Sequence, residues 1–330
     1  MAKTAEKTLA PDHQLIERFS GNLDALIEPG ERIGVAVSGG PDSLALLLLA
    51  AAARPGLVEG ATVDHGLRPE ARKEAEMVAS LCERLGVPHS ILAVEWKKKP
   101  ESAIQERARN ARYALLRSWA GEKNLAAILA GHHADDQAET LIMRLVRGAG
   151  VKGLAGMRRI SKAPGGELAL LRPLLGWRRA ELEQLCADAG ITAIEDPSNA
   201  DEQFERVRIR RALADAEWFD SGAVALSATN LAQADAALHW ATTQEWKRGV
   251  SNGGGQLHYR PGDAPREIRR RIVRRAVLRL ATEGKGADLR GRELDKLLAV
   301  LSSGRKATLR GVLCSGGEHW RFAPAPARNA

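Results

Sequence analysis

The feature that most constrains the fold of this chain is a six-residue loop, SGGPDS at 38–43, set between a strand pattern and a helix pattern. The residues before it, IGVAV at 33–37, form a continuous apolar run with β-branched members, which is typical of a parallel strand buried on both faces. The apolar run from Leu44 to Ala53 predicts a buried helix directly after the loop. Glycines let backbone N–H groups approach an anion closely, and the N-terminus of the helix favours negative charge. The sequence therefore predicts a phosphate-binding loop at the end of a buried strand.

Strand and helix patterns continue to alternate after this loop. Further strands are predicted at 61–63, 90–94, 126–130 and 168–171, and helices at 71–85, 102–120, 131–147 and 178–189. Alternation at these spacings predicts an α/β fold with a Rossmann-like, doubly wound parallel sheet. Ligands of such sheets bind beyond the carboxyl ends of the strands. Ser38 and Gly131 both follow a predicted strand, so we expect them at that edge.

The predicted organisation has four regions: an N-terminal segment (1–25), the α/β domain (26–217), a helical linker (218–250) and a smaller, mainly helical C-terminal domain (251–330). In the last region the patterns predict a flexible break at 251–255, helices at 265–282 and 290–301, and a small β-element at 307–322. Residues 251–330 hold 17 Lys and Arg against seven Asp and Glu, whereas the rest of the chain holds 32 against 34. Such a basic block attracts polyanions, although a solvated helix face would have the same composition.

Composition disfavours several classes of protein. The longest apolar run, Leu44–Ala53, has ten residues, whereas a membrane-spanning helix needs about 20. The first residues, MAKTAEKTLAPDHQ, contain no apolar stretch of the kind found in a secretory signal. The three cysteines, Cys82, Cys186 and Cys314, are more than a hundred residues apart, which disfavours a disulfide framework or a cysteine-only metal site. We therefore expect a cytoplasmic protein without a membrane segment.

The loop offers side chains as well as backbone to a phosphate. The hydroxyls of Ser38 and Ser43 can donate hydrogen bonds, while Asp42 would repel a phosphate unless a cation lay between them, most simply Mg²⁺. The spacing and the lysine of a Walker A loop are absent. The alternative is a tight, serine-capped turn that binds no ligand.

The loop and several motifs that follow it resemble the motifs of a known enzyme family. SGGPDS resembles the pyrophosphate loop, or PP-loop, of the ATP pyrophosphatases, which cleave ATP to AMP and pyrophosphate. Narrower motifs resemble those of the bacterial tRNA(Ile)-lysidine synthetases and occur in this order: VDHGLRPEA (63–71), QERARNARYALL (105–116), GHHADDQAET (131–140), RGAGVKGLAGM (147–157), LLRPLLGWRRAEL (170–182), EDPSN (195–199) and RVRIRR (206–211). The resemblance covers about residues 30–215 and is to the shorter members, which have one compact C-terminal domain.

The resemblance implies a two-step ligation that uses ATP. ATP adenylates the C2 oxygen of the wobble cytidine in an isoleucine tRNA with a CAU anticodon, and the ε-amine of free L-lysine then displaces AMP. The product, lysidine, pairs with A rather than G, so that decoding changes from AUG to AUA. The implied partners are this tRNA and lysine, and the resemblance favours a homodimer.

The expected ATP site combines the loop with the ends of neighbouring strands. Its predicted residues are Ser38, Gly39, Gly40, Pro41, Asp42, Ser43, Val63, His65 and Gly131. Val63 and His65 are included because an adenosine bound to a Rossmann-like sheet lies beyond the second strand. Asp42 is the expected ligand of Mg²⁺.

Three acids in GHHADDQAET, which are Asp135, Asp136 and Glu139, are candidates to hold the ammonium group of lysine and to accept its proton. Asp136 and Glu139 are three residues apart and share one helix face. The alternative is that these acids only complement the helix dipole. The resemblance implies that Asp136 and Glu139 bind the lysine substrate.

Histidines and arginines complete the predicted catalytic set. His133 is preferred over His132 as a contact to a phosphate or the transition state, although the two assignments are interchangeable at this stage. Arg109 and Arg112 are three apart on a predicted helix, and one or both are expected to face the reaction centre or the carboxylate of lysine. Arg172 could neutralise developing phosphate charge. The predicted catalytic residues are Asp42, Arg112, His133, Asp136, Glu139 and Arg172.

Two groups of arginines are predicted to contact the tRNA backbone. They are Arg206, Arg208 and Arg210 in RVRIRR, and Arg270 and Arg274 in the basic C-terminal domain. For the first group the alternative is a solvated basic helix.

Three other functions compete with this interpretation. The nearest is a tRNA thiolase of the 2-thiocytidine type, which needs a cysteine pair or an iron–sulfur cluster, and the dispersed cysteines argue against it. An amidotransferase-type synthetase would need an ammonia source, and no N-terminal nucleophilic cysteine is present. A non-catalytic tRNA-binding protein would need no pyrophosphate loop.

Overall fold

The computed structural model describes residues 9–66, 70–96, 103–194, 203, 205–282, 289 and 291–326. The chain divides into two compact units, Met1–Ala232 and Gln233–Ala330. The EDPSN motif at 195–199 and residues 67–69 of the VDHGLRPEA motif lie outside the described residues.

The first unit contains a six-stranded sheet. Its strands are β1 (Ile33–Ala36), β2 (Val58–Asp64), β3 (His89–Ala93), β4 (Ala127–Leu129), β5 (Ile160–Lys162) and β6 (Ala169–Leu171). Their order is β3-β2-β1-β4-β6-β5, and all pairs are parallel except β5 with β6. The predicted α/β class and parallel sheet are confirmed. The short edge strand β5 was not predicted.

Strand β2 extends beyond the predicted 61–63. The prediction was too short because a charged residue and a glycine interrupt the apolar pattern at the start of the strand. Glu59 is buried inside the strand and forms an ion pair with Arg32. A Cβ on Gly60 would lie 3.2 Å from the Sγ of Cys82, so a helix packs closely there. Glu59 and Gly60 are required by contacts with residues distant in the chain, which a local sequence pattern does not reveal.

Helices cover both faces of this sheet, as a doubly wound fold requires. They are α1 (His13–Asp24), α2 (Pro41–Ala53), α3 (Ala71–Arg84), α4 (Ile104–Glu122), α5 (Ala134–Val146), α6 (Val151–Leu154), α7 (Arg179–Asp188) and α8 (Glu205–Ala214), followed by α9 (Ser221–Gly249), which continues into the second unit. Helix α1 lies in the predicted N-terminal segment, and its Phe19 and Leu23 are fully buried in the core.

Among the described helices of the unit, α2 has the most buried residues. All residues from Ser43 to Ala50 are buried, and the helix packs against α1, α7 and β1. A helix that is apolar on every side is stable only inside a core. Because α2 is held in this way, the loop that precedes it is held against the carboxyl end of β1.

The second unit is a five-stranded antiparallel sheet with two helices. The strands are β7 (Val250–Gly253), β8 (Gln256–Tyr259), β9 (Lys306–Leu309), β10 (Val312–Ser315) and β11 (Trp320–Pro324), in the order β7-β8-β11-β10-β9, and the helices are α10 (Arg266–Leu280) and α11 (Gly291–Ser302). The two helices and the β-element after 306 agree with the prediction. This unit has its own core, which includes Tyr259, Ile272, Trp320 and Phe322.

The predicted flexible break at 251–255 is wrong. Residues 250–259 form a β-hairpin in which Gly253 pairs with Gln256. Gly254 and Gly255 have φ angles of 59° and 74°, which a two-residue hairpin turn requires. The glycines that suggested flexibility therefore make a defined turn.

None of the described helices combines the length and the apolar character needed to cross a bilayer.

Candidate active site

The loop at 38–43 joins β1 to α2 and is closed by its two serines. The backbone N–H of Ser38 donates to Oγ of Ser43 at 3.0 Å, and the two hydroxyl oxygens are 3.2 Å apart. The Ser43 hydroxyl also donates to the carbonyl oxygen of Gly40 at 3.0 Å. Gly40 is the N-cap of α2 and offers no side chain to cap the helix, which suits the approach of an anion.

Two glycines of the site are required by their surroundings. Gly39 has a φ of 85°, and a Cβ there would clash with Cδ1 of Ile194, whose backbone N–H donates to the Gly39 carbonyl at 2.9 Å. A Cβ on Gly131 would lie 2.8 Å from the carbonyl oxygen of Asp42. Gly131 therefore lets the end of β4 approach the first turn of α2.

Asp42 provides an oxygen that fits a cation. Its Oδ1 is buried and has no hydrogen-bond partner among the described residues. Its Oδ2 lies 3.4 Å from Nε2 of His133. A buried carboxylate oxygen without a donor is costly, and a divalent cation is the ligand that hard oxygen atoms prefer. The environment of Asp42 thus fits Mg²⁺.

His133 is buried beneath Asp42, with 1 % of its side chain exposed. Its Nδ1 lies 3.4 Å from Asp135, and its Nε2 lies 3.5 Å from Asp136. Burial alone would lower the pKa of His133, but the hydrogen bonds with Asp135 and Asp42 and the charge of Asp136 outweigh it and raise the pKa to about 10. The backbone N–H of Asp136 lies 3.5 Å from Nδ1 of His133, at the outer limit of a hydrogen bond.

Asp135 holds this histidine in place. Its Oδ2 also accepts the backbone N–H of Arg179 at 2.8 Å. Burial would raise the pKa of Asp135, but the hydrogen bonds from His133, Arg179 and Ser221 hold it well below its usual range. Asp135 thus binds groups of the protein itself.

His132 faces a small cavity instead. The cavity, of about 180 Å³, is lined by Ser38, Asp42, Arg112, Tyr113 and His132 among others. The Nδ1 of His132 is buried without a partner in the described part of the chain. Burial lowers the pKa of His132 to about 4 against the charge of Asp136, so the ring is neutral at pH 7.

Guanidinium groups surround this neutral ring. Those of Arg172, Arg206 and Arg112 all act to lower the pKa of His132. The two neighbouring histidines are therefore in opposite charge states.

Helix α4 brings Arg112, but not Arg109, to the cavity. Arg112 is half-buried and lines it, whereas Arg109 is exposed. The guanidinium carbons of Arg109 and Arg112 lie 5.0 and 5.3 Å from the ring centre of Tyr113, which is buried between them and also lines the cavity. Of the predicted pair, Arg112 is the one at the site.

Arg172 lies behind the cavity. It is 7 % exposed, and its Nη1 donates to the carbonyl oxygen of Arg158 at 2.8 Å and to Oγ of Ser161 at 2.9 Å. Its Nε is buried without a partner in the residues described. Arg172 is not among the residues that line the cavity, so its charge acts there through space.

Val63 and His65 lie at the carboxyl end of β2, which pairs in parallel with β1. The His65 carbonyl accepts the indole N–H of Trp96 at 2.7 Å, while its Nδ1 is buried without a partner in the described ranges. Burial and then the charge of Arg112 lower the pKa of His65. His65 therefore lies on the Arg112 side of the same sheet edge.

The two predicted lysine-binding acids are both occupied by arginines of α8. Nη2 of Arg206 lies 2.6 Å from Oδ1 of Asp136, and its Nε lies 2.5 Å from Oε2 of Glu139. Nε of Arg210 lies 2.6 Å from Oε1 of Glu139. Arg208 is on another face of α8, where it is exposed and donates to the carbonyl oxygen of Gln203 at 3.1 Å. Sequence reasoning treated these acids and these arginines as separate sites.

In the second unit, the predicted tRNA contacts Arg270 and Arg274 are both half-buried on α10. Nε of Arg270 lies 2.9 Å from Asp295. Arg271 pairs with Asp235 at 2.7 Å and with Glu267 at 2.9 Å. Much of the positive charge of α10 is thus bound within the unit.

The three cysteines are all buried thiols. Burial raises the pKa of Cys82, Cys186 and Cys314 to about 12 in each case. Cys186 lies close to the loop, where its Sγ contacts the carbonyl oxygen of Pro41 at 3.4 Å. Thiols held so strongly in the protonated state are unsuited to carry sulfur.

Sequence reasoning missed several contributors to the site, among them Tyr113 and Leu116, which line the cavity, and Ile194, which covers the loop. Tyr113 and Leu116 belong to the QERARNARYALL motif and could have been found by helical spacing from Arg112. Ile194 had no such signal, because it reaches Gly39 only through tertiary packing.

Comparison with known proteins gives a family and a name for the relatives. A family described as a PP-loop domain matches residues 11–217. The tRNA(Ile)-lysidine synthase of Novosphingobium aromaticivorans is 49 % identical over 94 % of this chain and 93 % of its own length. The protein of the same name from Zymomonas mobilis is 44 % identical over 90 % of this chain and 89 % of its own length.

Among solved structures, the U34-tRNA thiolase NcsA from Methanococcus maripaludis, which holds a [4Fe-4S] cluster, is similar with a TM-score of 0.55 at 16 % identity. The match covers 66 % of this chain and 78 % of the thiolase. At that identity the likeness concerns the fold alone.

Proposed function

The chain belongs to the PP-loop family and, within it, to the tRNA(Ile)-lysidine synthases, and on this premise we propose that it attaches L-lysine to C2 of the wobble cytidine in an isoleucine tRNA with a CAU anticodon. The family was predicted from the motifs, and that prediction is confirmed. The observation that carries the proposal concerns His133, whose Nε2 lies 3.4 Å from Asp42 of the phosphate loop and 3.5 Å from Asp136. This geometry supports an ATP site that lies beside an amine site. Asp136 and Glu139 are called the acid pair below.

For the ATP half of the reaction, the proposal assigns the phosphates to the loop at 38–43 and the adenosine to the ends of β1 and β2 near Val63 and His65. The N-terminus of α2, the hydroxyls of Ser38 and Ser43, and the absence of a side chain at Gly39 and Gly40 support this assignment. Mg²⁺ on Asp42 would neutralise phosphate charge when bound. In this half the C2 oxygen of the cytidine bonds to the α-phosphorus, and pyrophosphate leaves.

For the lysine half, Asp136 and Glu139 hold the ε-ammonium group. The amine must lose a proton before its nitrogen can bond to C2, and a carboxylate beside it is suited to accept that proton. When the new C–N bond has formed, AMP leaves with the former C2 oxygen. Arg112 is placed to contact a phosphate or the carboxylate of lysine through its planar fork.

The two histidines take different roles in this proposal. His132 is the ring that touches substrate, because it lines the cavity and is neutral. His133 positions Asp42 and the acid pair from below, since its side chain is buried and surrounded by carboxylates. The sequence alone favours the opposite arrangement.

The experiment that tests the function incubates the protein with ATP, radiolabelled L-lysine and a transcript of isoleucine tRNA with a CAU anticodon. We expect label in the RNA and one AMP released per lysine incorporated. The matched control is the same transcript with a GAU anticodon, which lacks the target cytidine and should take no label. Release of AMP without label in the RNA would contradict a lysine ligase.

We also propose a cytoplasmic location and a homodimer, both on the strength of the family. Sedimentation velocity of the purified chain tests the dimer.

A further inference from the structure

A guanidinium occupies the position that the substrate ammonium would need. Arg206 bridges the two acids, at 2.6 Å from Asp136 and 2.5 Å from Glu139. Arg210 is bound mainly to Glu139, at 2.6 Å, and lies 3.9 Å from Asp136. Of these two arginines, Arg206 is the one that contacts both carboxylates closely, and a lysine ammonium held by the pair would take the same position.

The burial of the acids means that a cation must always be present there. The side chains of Asp136 and Glu139 are 12 % and 4 % exposed. A buried carboxylate left without its partner is strongly destabilising. Arg206 and Arg210 already take the close contacts of Asp136 and Glu139, so an ammonium that is to reach both carboxylates must displace one of these guanidiniums. Lysine and Arg206 therefore compete for one position.

Helix α8, which carries Arg206, is held mainly by charge. Its one buried apolar residue is Val207, and Glu205 at its start pairs with Arg147 at the end of α5. The side chains of Arg206 and Arg210 remain 39 % and 31 % exposed. Arg206 can therefore exchange its partner at low cost as long as another cation takes its place on the buried carboxylates.

The partner that can accept the displaced side chain is RNA phosphate. A guanidinium binds phosphate and carboxylate through the same planar pair of N–H groups, and the exposed Arg208 adds positive charge to the surface of α8. We propose that Arg206 closes the amine site in the absence of RNA, and that a phosphate of the bound tRNA draws its guanidinium away while Arg210 stays on Glu139. Lysine then binds more tightly to the complex that can use it. This inference rests on the proposed function.

Because coupling between two ligands is reciprocal, it can be measured as lysine affinity with and without RNA. Isothermal titration of L-lysine into the full chain, with Mg²⁺ and α,β-methylene ATP to prevent turnover, is done with and without the CAU transcript. For the unaltered protein we expect RNA to tighten lysine binding at least tenfold. For Arg206→Gln we expect RNA-free lysine binding to tighten at least tenfold and to gain little more from RNA.

Arg211→Gln is the matched control, because it removes the same charge from an exposed position of the same helix. Its RNA-free lysine affinity should equal that of the unaltered protein. Unchanged or weaker lysine binding by folded Arg206→Gln would overturn the inference. If that variant does not fold, equal lysine affinity of the unaltered protein with and without RNA would overturn it instead. A failure of the proposed function can be distinguished from a failure of this inference, because the unaltered protein would then incorporate no labelled lysine into RNA.

Discussion

Each of the two units has an arginine-rich helix, and the helices differ in what their guanidiniums face. In the first unit, Arg206 and Arg210 of α8 bind the acid pair of the candidate active site. In the second, Arg270 and Arg271 of α10 bind acids that belong to the framework of that unit. A run of arginines therefore has no single meaning. The role of an arginine in such a run depends on whether its partner acid binds a substrate or only stabilises the folded unit.

The largest effect is expected at the phosphate loop of the first unit. Asp42→Ala removes the one carboxylate of the loop that fits a cation, and we expect lysine incorporation to fall by about 10³-fold, comparable to the loss of one group that stabilises charge in a transition state. RNA affinity, measured by filter binding, should stay nearly unchanged. Glu76→Gln, in a solvent-exposed pair with Arg72 on α3, serves as the control. Retained activity in Asp42→Ala would remove the proposed Mg²⁺ ligand.

The next effect is expected at the acid pair. Glu139→Gln leaves a buried site with one negative charge fewer, which should raise the KM for lysine by about 100-fold, in the range found when a buried charge pair is broken. The KM for ATP should change little. Steady-state kinetics with each substrate varied in turn make the distinction, and Glu183→Gln on the exposed face of α7 is the control. A change confined to ATP would mean that the lysine site lies elsewhere.

A smaller effect is expected in the second unit. The double change Arg270→Gln, Arg274→Gln should weaken RNA binding by about tenfold. The slope of the logarithm of the RNA-binding constant against the logarithm of the salt concentration should become shallower by about 1 for each phosphate that the variant no longer neutralises. The double change Arg72→Gln, Arg84→Gln on the exposed surface of α3 removes the same two charges and is the control. An unchanged salt slope with a lower melting temperature would show that these arginines serve only their own unit.

The smallest effect is expected for Asp135→Asn, which should lower the stability of the first unit by about 1–2 kcal/mol at pH 7, because hydrogen bonds to a charged group are removed. The pKa of Asp135 is held below its usual range in the folded state, so its contribution is complete above about pH 4 and is lost as the pH falls further. Urea unfolding at neutral pH and at about pH 3 should therefore show a smaller difference between variant and unaltered protein in acid. An equal difference under both conditions would argue against this linkage.

Local patterns predicted the elements that carry the nucleotide. The run from Ile33 to Ala53 was assigned correctly as strand, loop and helix because a parallel strand and a core helix are apolar on every side. The three-residue spacing of Asp136 and Glu139 correctly placed both on one helix.

Other elements could not be read from local patterns. Strand β5 has three residues, and the hairpin at 250–259 was hidden by its glycines, whose φ angles depend on the pairing of β7 with β8. The pairing of Arg206 with Asp136 was also hidden, since the two residues are 70 positions apart and only the closed fold brings them together.

The sequence by itself determined the family, the parallel sheet and the chemical types of residue at its carboxyl edge, because these depend on local hydrophobicity and on short motifs. Only the tertiary structure decided which of two adjacent histidines is charged and which arginine faces the cavity. It also decided what fills the acid pair in the absence of substrate. Charge state and ion pairing depend on burial and on distances between residues remote in the chain, and no spacing along the sequence encodes those distances.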